Sequence, residues 1–321
     1  MSFGDPAWAG WVLPEAESLS ILKAAYDAGI NTFDTADMYS NGQSEVIVGK
    51  AIQKYNIPRE KVVILSKLYF AVDETDVSNR VNAPGPNDWI NQRGLSRKHI
   101  FDAVDASVRR LGTYIDVLQI HRLDHETEPE EIMKALHDVV QSGKVRYIGA
   151  SSMYAHEFAM LQFTATLNHW TPFISMQNFY NLLYREEERE MIPFCKKMGV
   201  GLIPWSPMAR GMLTRPYEDK STTRISTDPL MKALYLSKEG QREGLVDQEI
   251  TGRVQKVAAD RGVSMATVAL SWVLSKGCAP IVGLSSEKRL KEAVDALKFK
   301  LSEEETKFLE GAYSPKAIQG H

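Results

Sequence analysis

The feature that most constrains this chain is a repeated alternation of short β-branched runs with amphipathic stretches at helical spacing. Residues 15–29 place Leu19, Ile21, Leu22, Ala25 and Ala28 on one helical face and end at Gly29, a residue suited to a helix C-terminus. The run 31–36 (NTFDTA) predicts a strand, 44–56 a helix, and 61–67 (KVVILSK) a strand too short and too β-branched to be helical. The pattern continues with helix 97–111, strand 116–121, helix 129–142, strand 145–151, helix 154–167, strand 173–178, helix 186–198 and strand 200–205. After a long irregular stretch come helices near 247–275, strand 279–283 and helix 286–297. Strands that alternate with helices pair in parallel through right-handed crossovers. With MSFG counted as the stub of a first strand the total is eight. The expected fold is therefore an α/β (β/α)8 TIM barrel rather than a doubly wound sheet, and no G-x-G-x-x-G follows the first strand.

Composition narrows the class further. The 321 residues carry 38 basic and 41 acidic side chains, a net charge of −3, which gives no electrostatic reason to expect nucleic acid or an anionic membrane as partner. Two cysteines, Cys195 and Cys278, exclude a cysteine-based zinc site and suit a reducing, cytoplasmic setting. No metal is expected, since neither H-E-x-x-H nor another close ligand spacing occurs. No signal peptide and no apolar run of membrane-spanning length is present. One domain over 1–321 is expected, with two long polar segments, 69–96 and 206–246, following strands on the face where barrel active sites lie.

On that face the strand-closing residues are Asp34, Lys67, His121, Ser151, Gln177 and Trp205, with Tyr39 just beyond Asp34. Singly each has an ordinary reading: a turn cap, a solvated lysine, a satisfied histidine, a packed ring. Together an acid, a phenol, an amine and an imidazole converge from three successive strands. A nearby ammonium favours a phenolate, so Lys67 is expected to lower the Tyr39 pKa, with Asp34 holding Lys67 and His121 bonding a substrate carbonyl. That grouping suits proton donation to a carbonyl reduced by hydride transfer. A Schiff-base aldolase using Lys67 is the competing chemistry, but it needs an uncompensated lysine, and Asp34 stands nearby.

The strings NTFDTADMYSNGQSE, VVILSK, RRLGTYIDVLQIHR, GKVRYIGASS, MQNFYN, IPWSPMARGML and PIVGLSSEKRLKEA resemble the aldo-keto reductase family in order and spacing, from MSFG almost to the last residue. The resemblance is closest to fungal reductases of the aryl-alcohol and versiconal hemiacetal acetate type. It implies Asp34, Tyr39, Lys67 and His121 as the catalytic tetrad, with Tyr39 the proton donor. It implies Ser151, Ser152 and Gln177 on the nicotinamide carboxamide, Ser152 standing where the family often has Asn. Trp205 would stack on the nicotinamide ring, and Ser206, Met208 and Arg210 would hold the pyrophosphate. Gly283, Ser285, Lys288 and Arg289 would take the 2′-phosphate of NADP (NADPH), where a helix N-terminus favours anions. Trp8, Trp11, Tyr69 and Phe70 are expected to line the pocket of a small-molecule carbonyl or alcohol substrate, probed best by aromatic or bulky aldehydes. The implied protein is a monomer or weak oligomer. The alternative on the same fold is a low-turnover NADP(H)-binding regulatory or partner subunit. The family usually begins with a short hairpin over the barrel bottom followed by a complete first strand; this sequence starts inside that strand, so its first strand is expected to be truncated.

Overall fold

A computed structural model of the chain describes residues 1–79 and 87–321. Residues 80–86, part of the expected 69–96 loop, lie outside the described residues. The chain divides into two compact units, 1–176 with His321, and 177–320.

The first unit is built from βα steps. Helix α1 (Glu15–Asp27) leads to β1 (Thr32–Asp34), α2 (Gln43–Lys54) and β2 (Val63–Leu68). After these come α3 (Arg97–Leu111), β3 (Ile115–Ile120), α4 (Pro129–Gln141), β4 (Val145–Ser151), α5 (Ala155–Leu167) and β5 (Phe173–Gln177). The strands lie in sequence order β1-β2-β3-β4-β5. β1 pairs with β2, β2 with β3 and β3 with β4 in parallel, as each intervening helix requires. The register sets Lys67 beside Gln119, and Gln119 beside Gly149. Helix boundaries follow local chemistry. The Ser96 hydroxyl accepts from the His99 N–H at the start of α3, and Gly112 ends it in the left-handed region. Pro129 opens α4, with Glu130 and Glu131 against the positive end of its dipole. Its buried stripe of Ile132, Met133, Ala135, Leu136 and Val139 faces the core.

The second unit holds α6 (Met191–Met198), the two-residue β6 (Gly201–Leu202), α7 (Thr223–Thr227), α8 (Pro229–Leu234) and α9 (Arg242–Arg261). It continues with α10 (Met265–Ser275), α11 (Glu287–Asp295) and α12 (Glu303–Glu310). The stretch 206–246, expected to be irregular, thus carries short helices, and α12 has no counterpart in the sequence reading. Helix α10 is buried from Met265 to Val273, which explains its nearly continuous apolar sequence.

Six strands are formed among the described residues, not eight. Residues 279–281 lie beside β6, with Ala279 N–H donating to Leu202 O and Ile281 N–H to Pro204 O, 2.9 Å each. Pro204 and Pro280 have no N–H to return, so no ladder propagates. MSFG also departs from expectation. Phe3 bridges to Leu13, with Leu13 N–H on Ser2 O and Gly4 N–H on Leu13 O, so this segment pairs locally with residues just downstream of it.

His99, packed at 6 % exposure in α3, has a ring Nε2 buried without a hydrogen-bond partner among the described residues. Burial first, helped by Lys98 and opposed by Asp102 and Asp124, lowers its pKa to about 4. The folded state therefore resists protonation that the unfolded chain accepts from about pH 6.5 downward, so the stability is full above pH 6.5 and drains as pH falls towards 4. Urea midpoints should fall on acidification, with about 2 kcal/mol lost to His99 by pH 5. The variant His99→Leu should show a shallower decline; an unchanged slope would refute the assignment.

Candidate active site

Lys67 organises the tetrad. Its side chain, 1 % exposed near the end of β2, donates from Nζ to Asp34 Oδ2 at 2.7 Å, to the Thr35 carbonyl at 2.9 Å and to Tyr39 Oη at 3.3 Å. Parallel pairing of β1 with β2 delivers Asp34 and Lys67 to the same end, and the turn after β1 carries Tyr39 back over them. His121 follows β3 directly, its N–H on Leu68 O at 2.9 Å, and its ring meets Tyr39 edge to face with centroids 5.7 Å apart. The four residues that the sequence picks out are thus brought together.

Their electrostatics follow from burial. Desolvation disfavours the Lys67 ammonium, but Asp34 and Tyr39 outweigh it and hold its pKa above the usual lysine value. For Tyr39 the outcome differs from expectation. Burial pushes its pKa up and Asp34 adds to this; the downward pull of Lys67 does not overcome them, so the net shift is upward. The phenol is therefore protonated at neutral pH, the form a proton donor needs. Burial, then Lys67 and Arg122, drive His121 well below the ordinary histidine range. Its neutral imidazole keeps Nδ1 buried with no partner among the described residues.

Gln119 is a site residue that the sequence reading missed. Its Nε2 donates to Asp34 Oδ1 at 3.2 Å, holding the carboxylate oxygen other than the one that Lys67 binds. The available signal was strand periodicity, since Gln119 and His121 are two residues apart on one strand direction. The neighbouring Gly149 makes room: a Cβ there would stand 3.1 Å from Gln119 Cγ and 2.5 Å from Ser175 Oγ. Behind the tetrad, Glu45 binds the Arg110 guanidinium at 2.6 Å and accepts from Ser66 Oγ, tying α2 to α3 and to the residue before Lys67. Asp37, fully buried, has its carboxyl held well above the carboxylate range, by burial first and then by Glu45.

The apolar residues assigned to the pocket also gather here. Trp8 meets Trp11 edge-on at 6.0 Å, and Trp8 and Val12 pack with Ala36 and Tyr39. Tyr69 abuts Phe70 at 5.0 Å, and Phe70 abuts His121 at 5.2 Å. Ser151 and Ser152 are buried at the end of β4, Ser152 with φ 32°.

In the second unit Gln177 is buried at the end of β5. The Trp205 backbone N–H donates to Asn178 O at 2.8 Å. The following turn holds Ser206, Ala209, Arg210 and Gly211 at φ values of 52, 49, 55 and 106°, with Met208 between them. Within the turn the Ala209 N–H donates to Ser206 O and the Gly211 N–H to Met208 O, 2.9 Å each, and turns of this mixed-handed kind can present their other N–H groups to anionic oxygens. The Arg210 guanidinium, expected to meet phosphate, is instead committed to Asp228 through Nε at 2.9 Å and Nη2 at 2.5 Å, where Arg224 joins it at 2.9 Å. A guanidinium 4 % exposed needs a carboxylate close by, and Asp228 caps α8 to supply one. Arg289 bonds Ser285 Oγ across the first turn of α11, beside exposed Lys288 and Gly283.

A family model described as Aldo/keto reductase family matches residues 1–314. The chain belongs to the aldo/keto reductase family. It is 56 % identical to versiconal hemiacetal acetate reductase of Aspergillus parasiticus, over 99 % of this chain and 93 % of that protein. It is also 56 % identical to a protein of Saccharomyces cerevisiae named as a putative aryl-alcohol dehydrogenase, over 98 % and 92 % of the two chains. An aldo-keto reductase of Alternaria alternata shares 50 % identity over 100 % and 88 %. This aldo/keto reductase is an oxidoreductase of the class that interconverts carbonyl and alcohol groups, and its family uses nicotinamide cofactors. Its substrates are accordingly small molecules. Among the described residues no single helix is long and apolar enough to cross a membrane.

Proposed function

We propose that this aldo/keto reductase uses NADPH to reduce aromatic or bulky aldehydes and ketones to alcohols, with Tyr39 as proton donor. The observation that carries the reading is the Lys67 ammonium bridging Asp34 and the protonated Tyr39 hydroxyl beside a neutral His121. When bound, the nicotinamide supplies the hydride. Tyr39 gives its phenolic proton to the carbonyl oxygen, and Lys67 stabilises the phenolate left behind at 3.3 Å. Asp34, held by Gln119, keeps Lys67 charged and aimed. His121, being neutral, has one ring N–H to orient the carbonyl oxygen and carries no charge to repel Lys67.

The donor set suits the cofactor. Ser151, Ser152 and Gln177 offer amide and hydroxyl groups for a carboxamide, and Trp205 a flat face for the ring. The turn around Ser206, Met208 and Arg210 offers N–H groups for a pyrophosphate. The bonded pair Ser285 and Arg289, with Lys288 and Gly283, suits a 2′-phosphate, which favours NADPH over NADH. Arg210 acts indirectly in this reading, by fixing the turn through Asp228. We assign the chain to one barrel domain with 69–96 and 206–246 as its active-site and cofactor loops, working in the cytoplasm. Relatives named as reductases and dehydrogenases give no support to the low-turnover regulatory alternative.

Trp8, Trp11, Tyr69 and Phe70 supply an apolar lining beside Tyr39 and His121. Steady-state NADPH oxidation should therefore give benzaldehydes a kcat/KM about tenfold or more above that of small aliphatic aldehydes, since each buried apolar group contributes on the order of 1 kcal/mol. Equal rates on both classes would sink the substrate assignment.

A further inference from the structure

The indole of Trp205 does not stand alone in the second unit. Its ring stacks on Phe179 with centroids 4.3 Å apart and planes 15° from parallel. Phe179 in turn stacks on Tyr184 at 4.6 Å and 21°. Phe179 and Tyr184 are each 2 % exposed, so the column is locked by its surroundings. At its far end the Tyr184 hydroxyl accepts the backbone N–H of Gln319 at 2.9 Å.

Gln319 belongs to a segment after α12 that is fastened at several points. The Tyr313 hydroxyl donates to Glu186 Oε1 at 2.6 Å and accepts the Arg185 N–H at 2.9 Å. The Lys316 N–H reaches the same Glu186 oxygen at 2.8 Å, and Lys316 Nζ forms a buried ion pair with Asp247 of α9. The segment thus grips the 181–188 turn that carries Tyr184.

We propose that Phe179 and Tyr184 are positioning residues for Trp205, setting the tilt of the indole against the nicotinamide, and that the strap 313–319 fixes the column through Tyr184. The inference rests on the reading that Trp205 meets the nicotinamide ring. The chemistry is that of packing. Near-parallel rings at these separations have a narrow range of favourable offsets, so removing Phe179 frees the indole to tilt, and removing the Tyr184 oxygen releases the column from the strap.

The test compares two ligands on the full-length chain by equilibrium titration: NADPH, and 2′-phospho-ADP-ribose, which carries the phosphates without the nicotinamide. Trp205→Ala should weaken NADPH about tenfold and leave the fragment within about twofold, the range that ring stacking accounts for. Phe179→Leu should weaken NADPH about three- to tenfold with the fragment again unchanged, Phe179→Tyr should restore it, and Tyr184→Phe should cost about twofold. Tyr184→Phe removes one oxygen and keeps the ring, so it carries the test even where Phe179→Leu folds poorly. If Trp205→Ala discriminates between the ligands while Phe179→Leu and Tyr184→Phe keep the wild-type ratio, the column is overturned and the Trp205 reading survives. If Trp205→Ala weakens both ligands alike, or neither, the Trp205 reading fails and takes the column with it.

Discussion

Tyr39→Phe is expected to lower kcat for carbonyl reduction by about 10²- to 10⁴-fold, the range that a positioned general acid contributes, while NADPH binding changes little. The substitution removes one oxygen from a ring that stays packed against Trp8, Val12 and Ala36. Stability should therefore shift by less than about 1.5 kcal/mol, the net value of one hydrogen bond. Lys67 keeps its bonds to Asp34 and the Thr35 carbonyl, so the ammonium is not orphaned. The effect should fall on kcat, because the proton is needed where the alkoxide develops. Stopped-flow NADPH oxidation with a benzaldehyde separates this step from cofactor release. Wild-type kcat in the variant would remove Tyr39 from the role.

Lys67→Met should harm both folding and catalysis. It leaves the Asp34 carboxylate, 7 % exposed, without the cation that faces it at 2.7 Å. Breaking a buried pair by deleting one partner costs about 3–5 kcal/mol, because an uncompensated charge stays behind. The double variant Lys67→Met with Asp34→Asn should recover part of that stability while remaining inactive, since the buried charge is gone but the ammonium beside Tyr39 is still missing. Urea denaturation of the two variants reads the difference. A Lys67→Met protein as stable as the parent would mean that Asp34 finds water or another partner, and that the pair is less enclosed than its geometry indicates.

Helix α3 and strand β4 occur where hydrophobic periodicity and end signals place them, at 97–111 and 145–151. Both are local signals: a Ser cap and a left-handed Gly for α3, and an unbroken strand-forming run for β4. Strand β6 is shorter than 200–205 because the loss of a donor at Pro204 matters only when a neighbouring strand needs that donor. Residues 206–246 look irregular by periodicity because α7 and α8 are too short to show it. Their ends are set by partners such as Asp228, which caps α8 and takes two guanidinium groups.

For the site, residue types at strand ends were enough to nominate Asp34, Tyr39, Lys67 and His121, since a parallel βα unit sends every strand terminus to the same side. The sequence by itself determined which chemical groups this protein brings together. Tertiary structure alone decided their protonation and their supports. Burial, which no linear pattern reports, reverses the expected direction of the Tyr39 shift and keeps the phenol protonated. Pairing register places Gln119 on Asp34 across β2, with Gly149 of β4 leaving room beside it. A carboxylate 18 residues downstream turns the Arg210 guanidinium into an anchor for its own loop. Each of these outcomes depends on distances between residues far apart in sequence, and free energies of desolvation and pairing are functions of those distances.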